Sequence, residues 1–328
     1  MTAIPGVPDL PASAPILVVA GPTASGKSAL GLALAEQFNG TVINADSMQV
    51  YRDLRVLTAR PTPAEETRVP HRLYGVLDGA VHGTAALWRG MALQAMVETV
   101  AEGRLPILLG GTGMYLRGLF EGLVDIPAIP AEARADARAK LAQVGPEGLH
   151  LALSALDPDT AARLMPGDSQ RLVRAYEVAL GTGRGLAAWQ ADSPAPPLPN
   201  PVFRLLLRPP RDALYARIDR RFEAMLAAGA LDEVRAMLAR TDLPADAPMR
   251  KAHGLPELVQ YLNGEMALDE AVRIGQLNTR HYAKRQTTWF RHQVQPDLVV
   301  ENDLGRQENF NPEAEIFPFI VRYLLTAP

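Results

Sequence analysis

The chain has 328 residues, 33 Lys or Arg against 36 Asp or Glu for a formal net charge of −3, 48% hydrophobic residues and no cysteine. Without cysteine there is no disulfide, thiolate zinc site or thiol nucleophile, and so balanced a charge excludes a protein that coats nucleic acid or acidic membrane indiscriminately, so any polyanion site must be a local patch. No apolar stretch approaches the roughly 20 residues needed to span a bilayer; the composition suits a globular, cytoplasmic protein of about two domains.

Residues 1–14 carry prolines and neither Lys nor Arg, and read as a flexible tail rather than a signal peptide. Ile16 to Ala20 is a short, apolar, β-branched run, and it leads into GPTASGKS: Gly21, Pro22, Thr23, Ala24, Ser25, Gly26, Lys27 and Ser28. This fits the phosphate-binding loop G-x-x-x-x-G-K-[ST], whose backbone N–H groups face a polyphosphate while the lysine reaches outer phosphates and the hydroxyl meets Mg²⁺. Ser28 to Glu36 is rich in helix formers, so strand, loop and helix follow in the order that sets a helix N-terminus against an anion. The loop predicts a bound di- or triphosphate and leaves open whether a phosphoryl group is what is transferred.

Thr41 to Asp46 reads as a second buried strand delivering Asp46, Ser47, Met48 and Gln49 to the strand end that faces the ligand crevice in open parallel sheets. His71 to Val76 is expected to continue the core, and Thr84 to Ala101 to form a helix. Leu105 to Leu109 is a third strand, running into the glycine turn of Gly110 to Tyr115. The alternation marks a doubly wound α/β sheet. From 125 to 200 the pattern changes to alanine- and arginine-rich helical segments broken at Gly145 and Pro146 and at Pro166 and Gly167, which reads as a helical insertion. Phe203 to Leu207 resumes the sheet; helices follow over 211–228, 230–240, 255–262 and 268–292, and Asp297 to Val300 is a short edge strand.

Many phosphate-loop enzymes hold Mg²⁺ with an aspartate at the end of a further strand, yet the strand of Leu105 to Leu109 ends in glycines. Asp46 is the nearest candidate, as an indirect metal ligand, a base or a loop cap. Thr112 is a candidate donor to a phosphate or leaving-group oxygen, or a helix N-cap. Arg273 to His292 holds five Lys or Arg and no acid. At about 100° per residue Arg273, Arg280, Lys284 and Arg291 share a face, a stripe suited to a nucleic-acid backbone. Trp289 and Phe290 read as core. Arg171 and Arg174 share a helix face that Asp168 or Ser169 would cap, and Arg217 is one of three arginines on an amphipathic helix. Three classes fit these residues: a transferase acting on RNA, a kinase of a small metabolite or nucleotide, and a nucleotide-gated RNA-binding module.

Together the segments resemble bacterial-type tRNA dimethylallyltransferases, through GPTASGKS, NADSMQVYR at Asn44 to Arg52, TARP at Thr58 to Pro61, HRLYG at His71 to Gly75, GGTGMYLRGL at Gly110 to Leu119, DSQRLVRAYEV at Asp168 to Val178 and TRHYAKRQTTWFR at Thr279 to Arg291. The resemblance implies an α/β fold, a P-loop doubly wound parallel sheet over 15–124 and 201–328 with an inserted, mainly helical domain over 125–200 that contacts the tRNA anticodon stem-loop. It implies transfer of a dimethylallyl group from dimethylallyl diphosphate to N6 of the adenosine following the anticodon, in tRNAs reading codons that begin with U, with Mg²⁺ as cofactor and neither a membrane nor a protein partner. By the same resemblance Asp46 would be the general base, Thr112 would steady the bridging oxygen or the amine, Arg217 would hold the diphosphate and Ser28 the metal. Contacts to tRNA would come from Asp46, Ser47, Met48, Gln49, Thr112, Arg134, Asp168, Ser169, Gln170, Arg171, Leu172, Arg280, Lys284 and Arg285. Two places depart from the family pattern: Leu255 and Pro256 stand where an aromatic and a basic residue are usual, and Arg60 replaces a lysine, keeping its charge but not its geometry.

Overall fold

The computed structural model describes residues 10–192, 197–301 and 311–327. The first nine residues of the expected tail, and 193–196 in the proline-rich segment before the resumed sheet, lie outside the described residues. Two compact units can be separated, Leu119–Leu198 and the chain that flanks it on both sides.

The flanking unit holds β1 (Ile16–Ala20), α1 (Lys27–Gln37), β2 (Gly40–Asn44), α2 (Pro63–Arg68), β3 (His71–Arg72), α3 (Ala85–Ala101), β4 (Leu105–Gly110) and α4 (Gly113–Phe120), the last running across the boundary between the units. The six-stranded sheet has the order β3-β2-β4-β1-β5-β6, with β5 at Val202–Leu207 and β6 at Leu298–Val300, and every pairing is parallel. Strands β1, β2 and β4 are buried along their whole length, as runs of Val, Ile and Leu must be when helices cover both faces. Leu17, Val19, Leu34, Val42, Ile107 and Leu205 meet in the core on one side of it. The expected continuation over His71 to Val76 shrinks to the two half-buried residues of β3, because the backbone leaves the extended conformation at Leu73 (φ 65°) and Gly75 (φ 62°).

Register decides where the site falls. Ala20 pairs with Gly110, and Asn44 with Leu109, so β1, β4 and β2 end at one level with β4 in the middle. The loops leaving these three strands are therefore neighbours. Gly110 is required there: a Cβ on it would stand 2.2 Å from the carbonyl oxygen of Ala45. Behind β5 come α9 (Arg211–Ala227), α10 (Ala230–Leu238), a 3₁₀ turn (Pro248–Lys251), α11 (Leu255–Leu262) and α12 (Leu268–Gln293), then β6, α13 (Pro312–Glu315) and α14 (Phe317–Thr326).

The unit Leu119–Leu198 contains α5 (Ala131–Leu156), α6 (Pro158–Ala161), α7 (Ser169–Thr182) and α8 (Leu186–Ala191), and no strand among its described residues. Inside α5 the helix breaks where Gly145 takes φ 69° and Pro146 follows. Leu149, Leu153, Ala161, Leu172 and Ala175 form its core. A buried polar knot ties it together: Asp157, 5% exposed, accepts hydrogen bonds from the Thr160 backbone N–H at 3.1 Å, the Leu186 N–H at 2.7 Å and the Thr160 hydroxyl. Asp157→Ala would leave those three donors unsatisfied, and by the usual cost of orphaned buried partners to a charged group it should destabilise this unit by about 3 kcal/mol. Urea unfolding followed by hydrogen exchange of 131–191 checks this; exchange unchanged from wild type would contradict it.

Candidate active site

The three neighbouring loops open into a cavity of about 990 Å³, lined among others by Thr23 to Ser28, Asp46, Met48, Gln49, Arg217, Arg221, His253 and Tyr282. Its basic lining residues include Lys27, Arg55, Arg60, Arg217, Arg220 and Arg221, against the carboxylates of Asp46 and Glu65. Glu65 is spent on the capping box at the start of α2, and Arg55 on Glu66 at 2.7 Å. A chain of net negative charge thus concentrates cations in one enclosed place, the arrangement that draws a polyanion.

In the P-loop, Ala24 (φ 60°) and Gly26 (φ 96°) take left-handed conformations of the kind that gathers successive N–H groups on one concave side. The Lys27 ammonium donates to the carbonyls of Gly21 at 2.9 Å and Pro22 at 2.7 Å. Burial pushes its pKa down to about 7; Asp46 acts in the opposite direction and Arg221 adds to the lowering. Arg221 is lowered by burial too, again with Asp46 opposing, and donates to the Thr23 hydroxyl at 3.1 Å. The Ser25 hydroxyl is buried with no hydrogen-bond partner. An orphaned hydroxyl beside enclosed cations is what a phosphate oxygen would satisfy.

Asp46 sits where β2 ends. Its Oδ1 accepts the N–H groups of Met48 at 2.8 Å and Gln49 at 3.4 Å, so it caps its own loop while lining the cavity. Asn44, fully buried, holds the Asp46 peptide from both sides: its Oδ1 accepts the Asp46 N–H at 2.8 Å and its Nδ2 donates to the Asp46 carbonyl at 3.0 Å. The indole N–H of Trp88 holds the Asn44 carbonyl at 2.9 Å. Thr112 does not cap α4 with its hydroxyl. That oxygen accepts the Ser47 N–H at 3.0 Å and donates to the Ser47 hydroxyl at 3.3 Å. The β2 and β4 loops are thereby joined. Tyr282 packs on His253 with ring centroids 4.2 Å apart; burial raises the tyrosine's pKa and lowers the histidine's.

Several expected contacts are placed otherwise. Leu172, expected at the RNA, is fully buried in the helical unit on the inner face of α7 and offers no exposed surface. The stripe on α12 is not acid-free in space, since Arg280 pairs with Asp219 at 2.8 Å and Arg273 with Glu270 at 2.7 Å. Lys284, Arg285 and Arg291 are exposed. The Gln49 amide donates to the carbonyls of Thr58 and Ala59, both at 2.9 Å. Asp168 caps α7 and pairs with Arg171 at 3.4 Å; Gln170 and Arg171 are exposed, Ser169 and Arg134 half-buried. Arg60, the departure from lysine, lays its guanidinium against Gly75, whose Cβ would stand 2.3 Å from it. Glu233 on α10 accepts the N–H groups of Arg55, Val56 and Leu57, fixing the loop that carries the cavity's outer wall. Asn44, Arg221, Glu233, Tyr282 and Gln286 are members of the site that spacing does not single out.

A model of the IPP transferase family matches residues 49–293. A tRNA dimethylallyltransferase of Rhodopseudomonas palustris (strain BisB18) is 56% identical over 299 residues, 89% of this chain and 94% of that protein. Another, of Rhodospirillum rubrum, is 52% identical over 317 residues, 96% of this chain and 97% of its own. Among solved structures, the full-length tRNA isopentenylpyrophosphate transferase of Bacillus halodurans aligns with TM-score 0.67 and 33% identity over 94% of this chain and 96% of its own. A eukaryotic dimethylallyltransferase acting on tRNA aligns with TM-score 0.78 and 26% identity, over 94% of this chain and 80% of that one.

Lys27 yields a test of the cavity's electrostatics. At pH 8 an amine with a pKa of about 7 is mostly neutral, and an anion beside it favours the protonated form, so inorganic diphosphate should bind with uptake of about one proton more than in Lys27→Met. Calorimetry at pH 8 in buffers of different ionisation enthalpy reads this directly. Equal proton uptake in the two proteins would contradict this.

Proposed function

The chain belongs to the IPP transferase family, and from that premise we propose that it transfers the dimethylallyl group of dimethylallyl diphosphate to N6 of the adenosine next to the anticodon of tRNA, releasing diphosphate. The observation that carries the reading is the meeting of the P-loop with Asp46 and the Thr112 turn at one level of one sheet. An anion cradle and a carboxylate then face each other across the cavity that both line.

The reaction asks for two things at once. As the bond between the allylic carbon and the diphosphate oxygen breaks, charge grows on the leaving group; the P-loop, Lys27, Arg217 and Arg221 line the cavity that would receive it. As the new C–N bond forms, the amine must lose a proton, and Asp46 accepts it. Thr112, held by Ser47, steadies the amine or the bridging oxygen. The adenine must leave its stack to enter, at a cost of about a few kcal/mol.

Mg²⁺ suits this donor set. Among the described residues no group of three His, Cys, Asp or Glu could hold a metal alone, which is the usual situation for an ion bound through substrate phosphates and one or two protein oxygens. Ser28, exposed in the cavity wall, would hold it, and the ion would add charge neutralisation at the departing phosphates.

The apolar part of the wall separates this reading from a kinase. Leu57, Ile218, Phe222 and Met225 line the same cavity and are nearly buried, at 5%, 2%, 4% and 8% exposure. A short hydrocarbon tail on a diphosphate fits such a wall better than a nucleoside does. For RNA, the exposed Lys284, Arg285 and Arg291 on α12 and Arg171 on α7 are the cations offered to phosphates. No helix of the described residues is long and apolar enough to cross a membrane.

Purified protein given dimethylallyl diphosphate or ATP, with and without tRNA, should release diphosphate only when the prenyl donor and tRNA are both present. Nucleoside mass spectrometry should then find prenylated adenosine; brisk ATP consumption over unmodified tRNA would favour the kinase. Asp46→Ala should bind tRNA within about 3-fold of wild type while single-turnover transfer falls about 100- to 10,000-fold, the range for loss of a general base.

A further inference from the structure

Lys284 and Arg285 are exposed on α12, but their neighbour Gln286 is turned inward and only 5% exposed. Both ends of its amide are engaged. Oε1 accepts the backbone N–H of Thr23 at 2.8 Å, and Nε2 donates to the carbonyl of Gly111 at 2.9 Å. Thr23 belongs to the P-loop after β1, and Gly111 to the turn after β4 that carries Thr112. One side chain thus bridges two loops that leave adjacent strands at the paired residues Ala20 and Gly110. The fit is close: a Cβ on residue 111 would stand 2.4 Å from Nε2, so only glycine lets the turn reach the amide.

We infer that Gln286 is a positioning residue for the transfer reaction. The inference rests on the proposed function, in which the P-loop holds the departing diphosphate and the β4 turn, with Asp46, receives the amine. Gln286 then sets the separation of the leaving group from the nucleophile. Its contact to Thr23 also withdraws that N–H from the loop amides that can meet phosphate, so the cradle begins one residue further on.

The chemistry of the side chain is specific to this task. The bridge needs an acceptor at one end and a donor at the other, which a primary amide supplies without charge. Glutamate would keep the acceptor for Thr23 but set a carboxylate oxygen against the Gly111 carbonyl and beside an anion site. Lysine or arginine could not accept the Thr23 N–H at all. A second tie on the same residue, from Arg221 to the Thr23 hydroxyl at 3.1 Å, holds the loop from α9.

The test compares Gln286→Met, which keeps length but loses both bonds, with Gln286→Glu, which keeps one. Thr99→Val serves as a control: it removes a buried hydroxyl bond to Ala95 within α3, away from the site. Since small misplacements of reacting groups can cost about 100-fold, Gln286→Met should lower kcat about 10- to 100-fold with KM for tRNA within about 2-fold of wild type. Gln286→Glu should fall between, and Thr99→Val should match wild type. Hydrogen exchange at the Thr23 amide should quicken about 10-fold or more in Gln286→Met, as expected when a single tether is released. A folded Gln286→Met with wild-type kcat would overturn the inference, as would a loss confined to KM for tRNA, which would make Gln286 an RNA contact. Should Gln286→Met fail to fold, kcat in Gln286→Glu equal to wild type overturns it in the same way. A wild-type chain that transfers no prenyl group overturns the functional reading and the positioning role with it, while the exchange rates still report whether the tether exists.

Discussion

The site depends on enclosed positive charge. Lys27 and Arg221 face the same cavity, burial disfavours the charged form of each, and Asp46 is the carboxylate that opposes the effect on both. Such a cavity is electrostatically incomplete with one acid against so many cations, and an anion completes it. For a reaction whose leaving group gains charge as it departs, that imbalance is useful. The stabilisation is greatest when the diphosphate is fully formed, so it favours the transition state and product over the bound ester. Lys27, meanwhile, is satisfied by the carbonyls of Gly21 and Pro22.

Charges are used for the ligand, and neutral amides for the architecture. Asn44 holds the Asp46 peptide, Gln49 pins the loop at Thr58 and Ala59, and Gln286 ties the P-loop to the β4 turn. Each spends its donor, its acceptor or both on backbone groups, so none adds a monopole to the cavity. An amide also carries both hydrogen-bonding roles at fixed geometry, which suits it to join two loops whose exposed groups differ. Acids act on backbone as well: Glu233 on α10 accepts three consecutive N–H groups of Arg55 to Leu57, and Asp46 accepts those of Met48 and Gln49 while lining the cavity. The parallel sheet sets the level of the loops, and these side chains set their spacing.

The main strands and longer helices were legible in the sequence because their signals are local, whereas α2, α13 and α14 were not among the expected elements. Ile16 to Ala20 is a strand at just those residues, α12 runs to Gln293 where 292 was expected, and the P-loop lies between the strand and helix its pattern requires. What periodicity cannot supply is the partner opposite a face. Leu172 shares a segment with exposed Arg171, and only packing within the helical unit shows that it points inward. Arg280 looked free of acids along its own helix, whereas its partner Asp219 lies 61 residues away on α9. Among Arg217, Arg220 and Arg221 nothing in the spacing distinguishes the one that reaches Thr23. Gln286 carried no signal of its own beyond its place in a basic segment.

The glycines at the end of β4 bear on which chemistry the fold can host. In the many phosphate-loop enzymes that place a metal-holding aspartate at a strand end, that acid needs room beside the P-loop. Here the corresponding space is filled: the Gly110 position is closed by the backbone carbonyl of Ala45 and the Gly111 position by the side-chain amide of Gln286. The acid arrives instead from β2, one strand further from the P-loop, with the glycine turn in between. Asp46 therefore reaches the shared cavity from the far side of β4, and not from the strand beside the P-loop. In the proposed reaction that placement suits a base acting on the amine. The apolar wall of Leu57, Ile218, Phe222 and Met225 adds the complementary requirement, since an allylic carbon losing its diphosphate would otherwise be captured by water.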